Sequence, residues 1–355
     1  MRDYHFVMAD EAPQPVPHDG LPSRTSILVA AARAFGARDP DPGVRNPDFL
    51  ADTLIGPDEL ALISGHPFST GLVQDYAEAI QNPAIAILAS LMILRTRFID
   101  EALKRAVEGG ATQIVILGAG FDSRAYRFRD LLKHCRVIEV DAAPTQDYKK
   151  RRIQATLGEV LPNLTYVGLD FAKDGIRDAL KVGGFREGER AFYIWEGVSM
   201  YLPEKSVREM LRMVASHSAP GSSIVLDYTN SLGIEIIQNP QGPASMPASW
   251  GEPWIFGVPG TNGEELFREL GFDPLVLLSM NSPEVIKRYA IRSDGTTYAA
   301  RAVEKMRAEA LERTRAGTAN PLSDSVLEAQ RAIAAGGGIY WLAELTVSPT
   351  QAHFG

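Results

Sequence analysis

Cysteine is nearly absent: Cys135 is the only one in 355 residues, which excludes an internal disulfide and any cysteine-based metal cluster. Long hydrophobic runs are missing too. The longest, 84–94, is too short to cross a bilayer, so no membrane is expected. Positive charge is in deficit, with 36 Lys and Arg against 44 Asp and Glu and a net charge of −8. No dense Lys/Arg run offsets this, and nucleic acid is a disfavoured partner. No basic stretch followed by an apolar core opens the chain, so the expectation is a cytoplasmic protein rather than a secreted one. The six histidines show no ligand spacing, and no metal is expected. What is present, 45% hydrophobic and 23% charged residues, is the composition of a soluble globular protein long enough for one large domain or two.

The most informative stretch is 112–127, TQIVILGAGFDSRAYR. Four apolar residues, 114–117, run into Gly118 and read as a short buried strand ending in a turn. Gly118 and Gly120 leave no side chain between the backbone and whatever lies at the strand's end, while Asp122 and Ser123 are competent N-caps. Strand, glycine turn and helix N-terminus predict a ligand cradle in which free N–H groups and a helix dipole converge. The next strand-like run, RVIEVD, ends in Asp141, 23 positions after Gly118. An acceptor carboxylate there is placed to hold a ribose hydroxyl pair. Glu139, two residues back, shares its face and is the weaker candidate. A dinucleotide fingerprint would need a third glycine where Ser123 stands, so the pattern leans away from NAD and toward a ligand without a pyrophosphate.

GAGFDSRAYR, then EVD, then GLDF (168–171), then WEGVSMYL (195–202) resemble, in order and spacing, the successive motifs of the leucine carboxyl methyltransferase family. The likeness covers about 70–350. It implies a class I S-adenosylmethionine-dependent methyltransferase, similar to the bacterial small-molecule O-methyltransferase branch, with S-adenosylmethionine as cofactor and S-adenosylhomocysteine as product. It implies too that Gly118, Ala119, Gly120 and Asp122 line the cofactor, and that Asp141 binds its ribose. Asp170 and Phe171 would serve the adenine, as an acceptor for the exocyclic amine and an apolar wall. Glu196 would face the cationic amino group. By motif position Arg95 would pair with the cofactor's carboxylate, with Arg97 second, an arginine's planar fork being suited to bidentate binding.

From 113 onward, runs at 113–117, 136–140, 164–169, 191–195 and 223–228 alternate with helical stretches at 145–157, 174–182 and 203–216, which predicts a doubly wound, mostly parallel α/β sheet. Ligands in such sheets sit beyond the strands' carboxyl ends, which selects Gly118, Asp141, Asp170 and Glu196. Later strands are expected at 274–280 and after the glycines 336–338. The resemblance implies a Rossmann-like seven-stranded sheet with an antiparallel last strand and a helical insertion (283–335) before it. Residues 1–110 read as an N-terminal arm and helical cap, and 111–355 as the cofactor-binding domain with a lid at about 229–262. Within the cap, 82–83 is Asn-Pro, a helix start, and 109–110 is Gly-Gly, a helix stop. A helix begins near Ser23, with Arg24 and Arg33 as its polar points; these read as solvated surface arginines, while the resemblance implies a segment closing over the cofactor, from which Arg24 could reach a carboxylate.

Methyl transfer needs acceptor, methyl and sulfur aligned and water excluded, and a hydroxyl acceptor would gain from a general base. No convincing base is visible. Tyr201 and His66 are the weak catalytic candidates, and Trp250, Trp254, Phe256 and Tyr201 are the candidate substrate contacts. The expected partner is a small-molecule acceptor with a carboxyl or hydroxyl group, a homodimer being left open. A protein C-terminal carboxylate is the alternative acceptor. An NAD-dependent oxidoreductase is disfavoured by Ser123 and by the missing Tyr-x-x-x-Lys pair.

Overall fold

A computed structural model describes residues 20–65, 67–171, 175–238, 248, 250–315 and 338–349. His66, residues 1–19 of the expected arm, part of the lid and residues 316–335 of the expected insertion lie outside them. Helices α1 (Arg24–Ala37), α2 (Ala51–Leu54), α3 (Pro57–Leu62), α4 (Pro67–Val73), α5 (Tyr76–Ala79) and α6 (Pro83–Glu108) precede β1 (Gln113–Leu117). Next come α7 (Arg124–Arg127), α8 (Arg129–Leu132), β2 (Arg136–Asp141), α9 (Ala143–Thr156), β3 (Leu164–Gly168) and α10 (Ile176–Val182). Then follow β4 (Ala191–Trp195), a 3₁₀ turn at Ser199–Tyr201, α11 (Glu204–His217), β5 (Ser223–Thr229) and α12 (Ser231–Gln238). The chain closes with α13 (Glu264–Glu269), β6 (Phe272–Ser279), α14 (Pro283–Tyr289), α15 (Ala300–Arg315) and β7 (Tyr340–Val347).

The strands form one seven-stranded sheet in the order β3-β2-β1-β4-β5-β7-β6. Pairings among β1 to β5 are parallel, and β7 runs antiparallel to both β5 and β6. This is the expected doubly wound α/β architecture. The strand order reverses between β1 and β4, and a doubly wound sheet places its ligand crevice at such a reversal, beyond the strands' carboxyl ends. All five residues of β1 and of β4 are buried, as a parallel sheet covered on both faces requires. Period two sorts them: Ile114 and Ile116 join a core shared with Ile27, Phe35, Ile93 and Phe98 of α1 and α6, while Val115 and Leu117 join Trp195, Leu211 and Leu226 on the other face.

Helix α6 delivers Arg95 to the crevice, and both of its ends are set by local chemistry. Asn82 accepts from the Ala84 N–H at 3.0 Å and Pro83 occupies the first turn. At the other end Ala111 N–H bonds Ala106 O (2.9 Å) and Gly110 N–H bonds Val107 O (3.0 Å). That is a Schellman closure, with Gly110 at φ +94°. No helix among the described residues is long and apolar enough to cross a membrane.

One expected element differs. The helix expected after the glycine turn forms as two single turns, α7 and α8. Ser123 makes no side-chain cap. Its hydroxyl instead donates to Asp48, and the Asp122 carboxylate takes the Arg124 N–H at 2.6 Å. At Ser123 a tertiary partner has displaced the local cap, while Asp122 keeps its bond to the start of α7.

Candidate functional site

Gly118, Asp141, Asp170 and Glu196 lie at or just past the ends of β1, β2, β3 and β4, four strands adjacent in the sheet. Gly118 adopts φ +66°, and a Cβ there would lie 2.3 Å from Val198 Cγ2. Only glycine allows the turn and the Val198 loop to approach this closely. The expected convergence of free N–H groups is not found. Gly118 and Ala119 N–H both donate to Val140 O (2.8 and 3.1 Å), and Asp122 N–H donates to Ala119 O (2.7 Å). Gly120 N–H donates to the Asp141 carboxylate. The N–H groups of Gly118, Ala119, Gly120 and Asp122 are thus bonded within the fold, and the helix that follows is a single turn, so the strong helix-dipole cradle is not built here.

Asp141 stands where a ribose would be held. One oxygen takes Gly120 N–H and the other takes Ala142 N–H at 2.6 Å, leaving a lone pair on each for further donors. Burial pushes its carboxyl upward. Glu139, the weaker candidate, is excluded: it is wholly buried beneath the sheet surface and paired with Lys149 at 2.5 Å. Burial outweighs Lys149 and lifts Glu139 to about 7 from 4.5. An acid whose pKa rises on folding contributes most to stability below pH ~4.5, and that contribution fades as pH climbs through 7. Glu139→Gln should therefore flatten the fall in stability between those limits; urea midpoints across that range that keep their slope would refute it. Asp170 is exposed beyond β3, and Phe171 is half-buried against the second core.

Glu196 anchors a buried ionic chain. Its oxygens accept from Arg95 Nε (2.8 Å) and Arg124 Nη1 (2.6 Å). Burial alone would raise its carboxyl, but Arg124 and Arg95 hold it far below the usual carboxylate range. Arg95 continues through Nη1 to Asp227 (3.0 Å) and Tyr340 Oη (3.3 Å), and through Nη2 to Met92 Sδ (3.4 Å). The Tyr340 hydroxyl also donates to Asp227. On the other side Arg124 Nε reaches Asp100 (2.8 Å), and Nη1 also meets Asp122. Arg127 joins Asp100 (2.7 Å) to Asp48 (3.4 Å), and Arg33 closes on Asp48 at 2.8 Å. These four guanidinia face five carboxylates, a formal surplus of one negative charge. Arg33 is therefore a buried member of the chain rather than a solvated point, and its Nη2 also holds Phe121 O (2.9 Å).

Several expected contacts are redistributed. Arg97 does not reach the crevice, since its guanidinium binds Gly43 O, Arg45 O and Pro42 O at 2.8 to 3.0 Å. Phe256 is a core residue, 6% exposed, and Trp250 packs against the first core. Trp254 alone of the three lies over the crevice side. Its ring is edge-on to Tyr201 (6.2 Å) and tilted on Tyr340 (5.9 Å). The segment is tied down by Ile255 and Phe256 N–H on Met200 O (2.8 and 3.2 Å). Glu252 caps α1, accepting from Arg24 N–H (2.9 Å), Thr25 N–H (3.2 Å) and the Ser23 hydroxyl (3.0 Å). Sequence reading missed Glu252, Arg124, Asp100 and Asp227. For Asp227 a signal existed: a carboxylate inside the apolar strand SIVLDYT needs a buried partner.

A sequence profile described as Leucine carboxyl methyltransferase matches residues 26–215. The Bacillus subtilis protein named "Putative S-adenosyl-L-methionine-dependent methyltransferase YktD" is 32% identical over 218 residues, 59% of this chain and 71% of that protein. A Mycobacteroides abscessus protein of the same description is 32% identical over 208 residues, 57% of this chain and 63% of that one. A solved S-adenosylmethionine-dependent methyltransferase from Mesorhizobium loti aligns with TM-score 0.40 at 14% identity, over 69% of this chain and 96% of that one.

Proposed function

The chain belongs to the leucine carboxyl methyltransferase family, and from that membership we propose that it uses S-adenosylmethionine to methylate a carboxyl or hydroxyl oxygen of a small metabolite. The observation that carries this reading is the set of groups gathered at the carboxyl ends of β1 to β4. There a partly exposed ribose-type carboxylate, Asp141, stands beside a buried network with one surplus negative charge. The donor set fits the cofactor: Asp141 keeps lone pairs for a diol, and a negative surplus complements a sulfonium. When bound, the cofactor supplies an already electrophilic methyl carbon. The protein's part is then to orient both reactants and exclude water.

The aromatic side of the crevice bears on the acceptor. Burial pushes the Tyr201 hydroxyl up to about 12. Tyr340 is raised well above its usual value, first by burial and then by Asp227, to which it donates. Neither phenol accepts a proton at neutral pH. An acceptor that arrives as a carboxylate needs no base, so this arrangement supports a carboxyl over an alcohol. Trp254, Tyr201 and Tyr340 offer flat apolar faces to an acceptor with a ring or chain.

Calorimetric titration tests the reading. S-adenosylhomocysteine should bind at micromolar concentration, with no heat from NAD or NADP, and the opposite pattern defeats the proposal. Asp141→Ala should weaken S-adenosylhomocysteine at least ~10-fold, the value of one charge-assisted bond pair. It should also lower stability by about 1–3 kcal/mol, because Gly120 N–H loses its acceptor. An unchanged dissociation constant would remove Asp141 from the site.

A further inference from the structure

We infer that a cleft at the amino ends of β1, β4 and β5 is a second binding site, one for a small organic carboxylate with an apolar body. It lies at the opposite end of the sheet from the cofactor crevice and does not depend on the methyltransferase reading. The cleft holds about 530 Å³, within the range of small-ligand pockets. Ala111 leads into β1, Ala191 opens β4 and Ser223 opens β5, and all three line it. Arg105 from the last turn of α6, Leu275 of β6 and Arg288 of α14 complete the walls.

Charge sets the ligand's head. Three guanidinia, those of Arg105, Arg190 and Arg288, meet two carboxylates there. Glu344 takes Arg105 Nη2 at 2.5 Å, and Glu101 takes Arg288 Nη2 at 2.5 Å with Arg105 Nη1 3.8 Å away. Arg190 has no ion pair among the described residues. Its Nη1 donates to Gly109 O at the end of α6, as an arginine at a helix C-terminus commonly does. Nε and Nη2, the two donors of one bidentate edge, have no hydrogen bond among the described residues. The guanidinium packs on Gly221, where a Cβ would come within 2.9 to 3.0 Å of Nη2, Cζ and Nε. That glycine and the Gly109 carbonyl hold the fork in place before a ligand arrives, which lowers the ordering cost of binding a carboxylate. The surplus of one positive charge matches one carboxylate. The body is set by the remaining wall. Ala106, Ala111 and Ala191 are apolar, and Leu275 stands 58% exposed beside them. A ligand's hydrocarbon would take that leucine out of water, whereas inorganic phosphate would exceed the charge surplus and leave it uncovered.

Calorimetric titration of the full chain with hexanoate, 1-hexanol and inorganic phosphate tests the site. Hexanoate should bind with a dissociation constant of about 1 mM or lower. It should bind at least ~10-fold more tightly than 1-hexanol, the value of one charge-assisted contact. In Arg190→Gln, whose amide still reaches toward Gly109 O, that preference should shrink to a few-fold. Leu275→Glu, which sets a like charge in the wall, should weaken hexanoate at least ~10-fold. Trp254→Ala, a change at the crevice, should leave the preference intact. No heat from hexanoate overturns the inference, as does phosphate binding more tightly than hexanoate or a preference that survives Arg190→Gln. A preference lost in Trp254→Ala also overturns it, because the carboxylate would then sit in the crevice. Should Arg190→Gln fail to fold, Leu275→Glu, at an exposed position, and Trp254→Ala still decide.

Discussion

Asp227→Asn is expected to lower the midpoint of thermal unfolding by roughly 6–10 °C. The figure comes from about 3–5 kcal/mol for breaking a buried ion pair and about 2 °C per kcal/mol for a domain at or above this size. Asp227 is fully buried and its two oxygens serve three donors: Gly197 N–H on Oδ1 at 2.6 Å, and Arg95 Nη1 and Tyr340 Oη on Oδ2. Asparagine keeps one acceptor and turns an NH₂ toward groups that are themselves donors. Arg95 then retains Glu196 as its sole carboxylate, and the Gly197 turn beside the crevice loses its anchor or the arginine does. Tyr340→Phe, which removes one donor and leaves the charge pair, should cost no more than about 1.5 kcal/mol. Calorimetric melts of the two variants decide the matter. A shift under 2 °C for Asp227→Asn would mean that the buried Arg95–Asp227 pair does not hold the fold in this way.

Gly118→Ala should damage both folding and cofactor binding. Its φ of +66° costs an L-residue about 1–2 kcal/mol, and its new methyl would sit 2.3 Å from Val198 Cγ2, a contact that requires the Val198 loop to retreat. That loop follows Gly197 and precedes Tyr201, so its retreat moves the β4 side of the crevice. The dissociation constant for S-adenosylhomocysteine should rise at least ~30-fold, about 2 kcal/mol. Adding Val198→Ala should relieve the overlap and restore part of the affinity, leaving the dihedral penalty in the melting temperature. If the double variant recovers nothing, the steric account of this glycine is wrong.

Glu196 and Asp227 were unequally visible in the amino-acid order. Glu196 closes the apolar strand AFYIW at a place where ligands are expected, so a strand-end rule found it. Asp227 lies within its strand, and its role comes from donors on other elements, among them an arginine 132 positions earlier. Arg33 shows the same limit from the other side. On a helical wheel it is one charge among alanines, and nothing local says that Asp48 and the Phe121 carbonyl wait for it. The cap chemistry at Ser123 misled for a related reason. Local preference is worth about 1 kcal/mol, and a buried carboxylate from another element outbids it.

The order of residues by itself determined the α/β alternation, the strand cores, the start and stop of α6, and which four residues stand at the carboxyl ends of β1 to β4. Those are consequences of period, turn chemistry and short-range geometry. Only the tertiary structure decided that Arg95 goes to Glu196 and Asp227 while Arg97 binds backbone carbonyls. It also decided that Glu139 turns inward to Lys149 and that Gly118, Ala119, Gly120 and Asp122 spend their amides within the fold. Such choices depend on distances between residues far apart in the chain, and burial makes each unpaired charge too costly to be left to local preference.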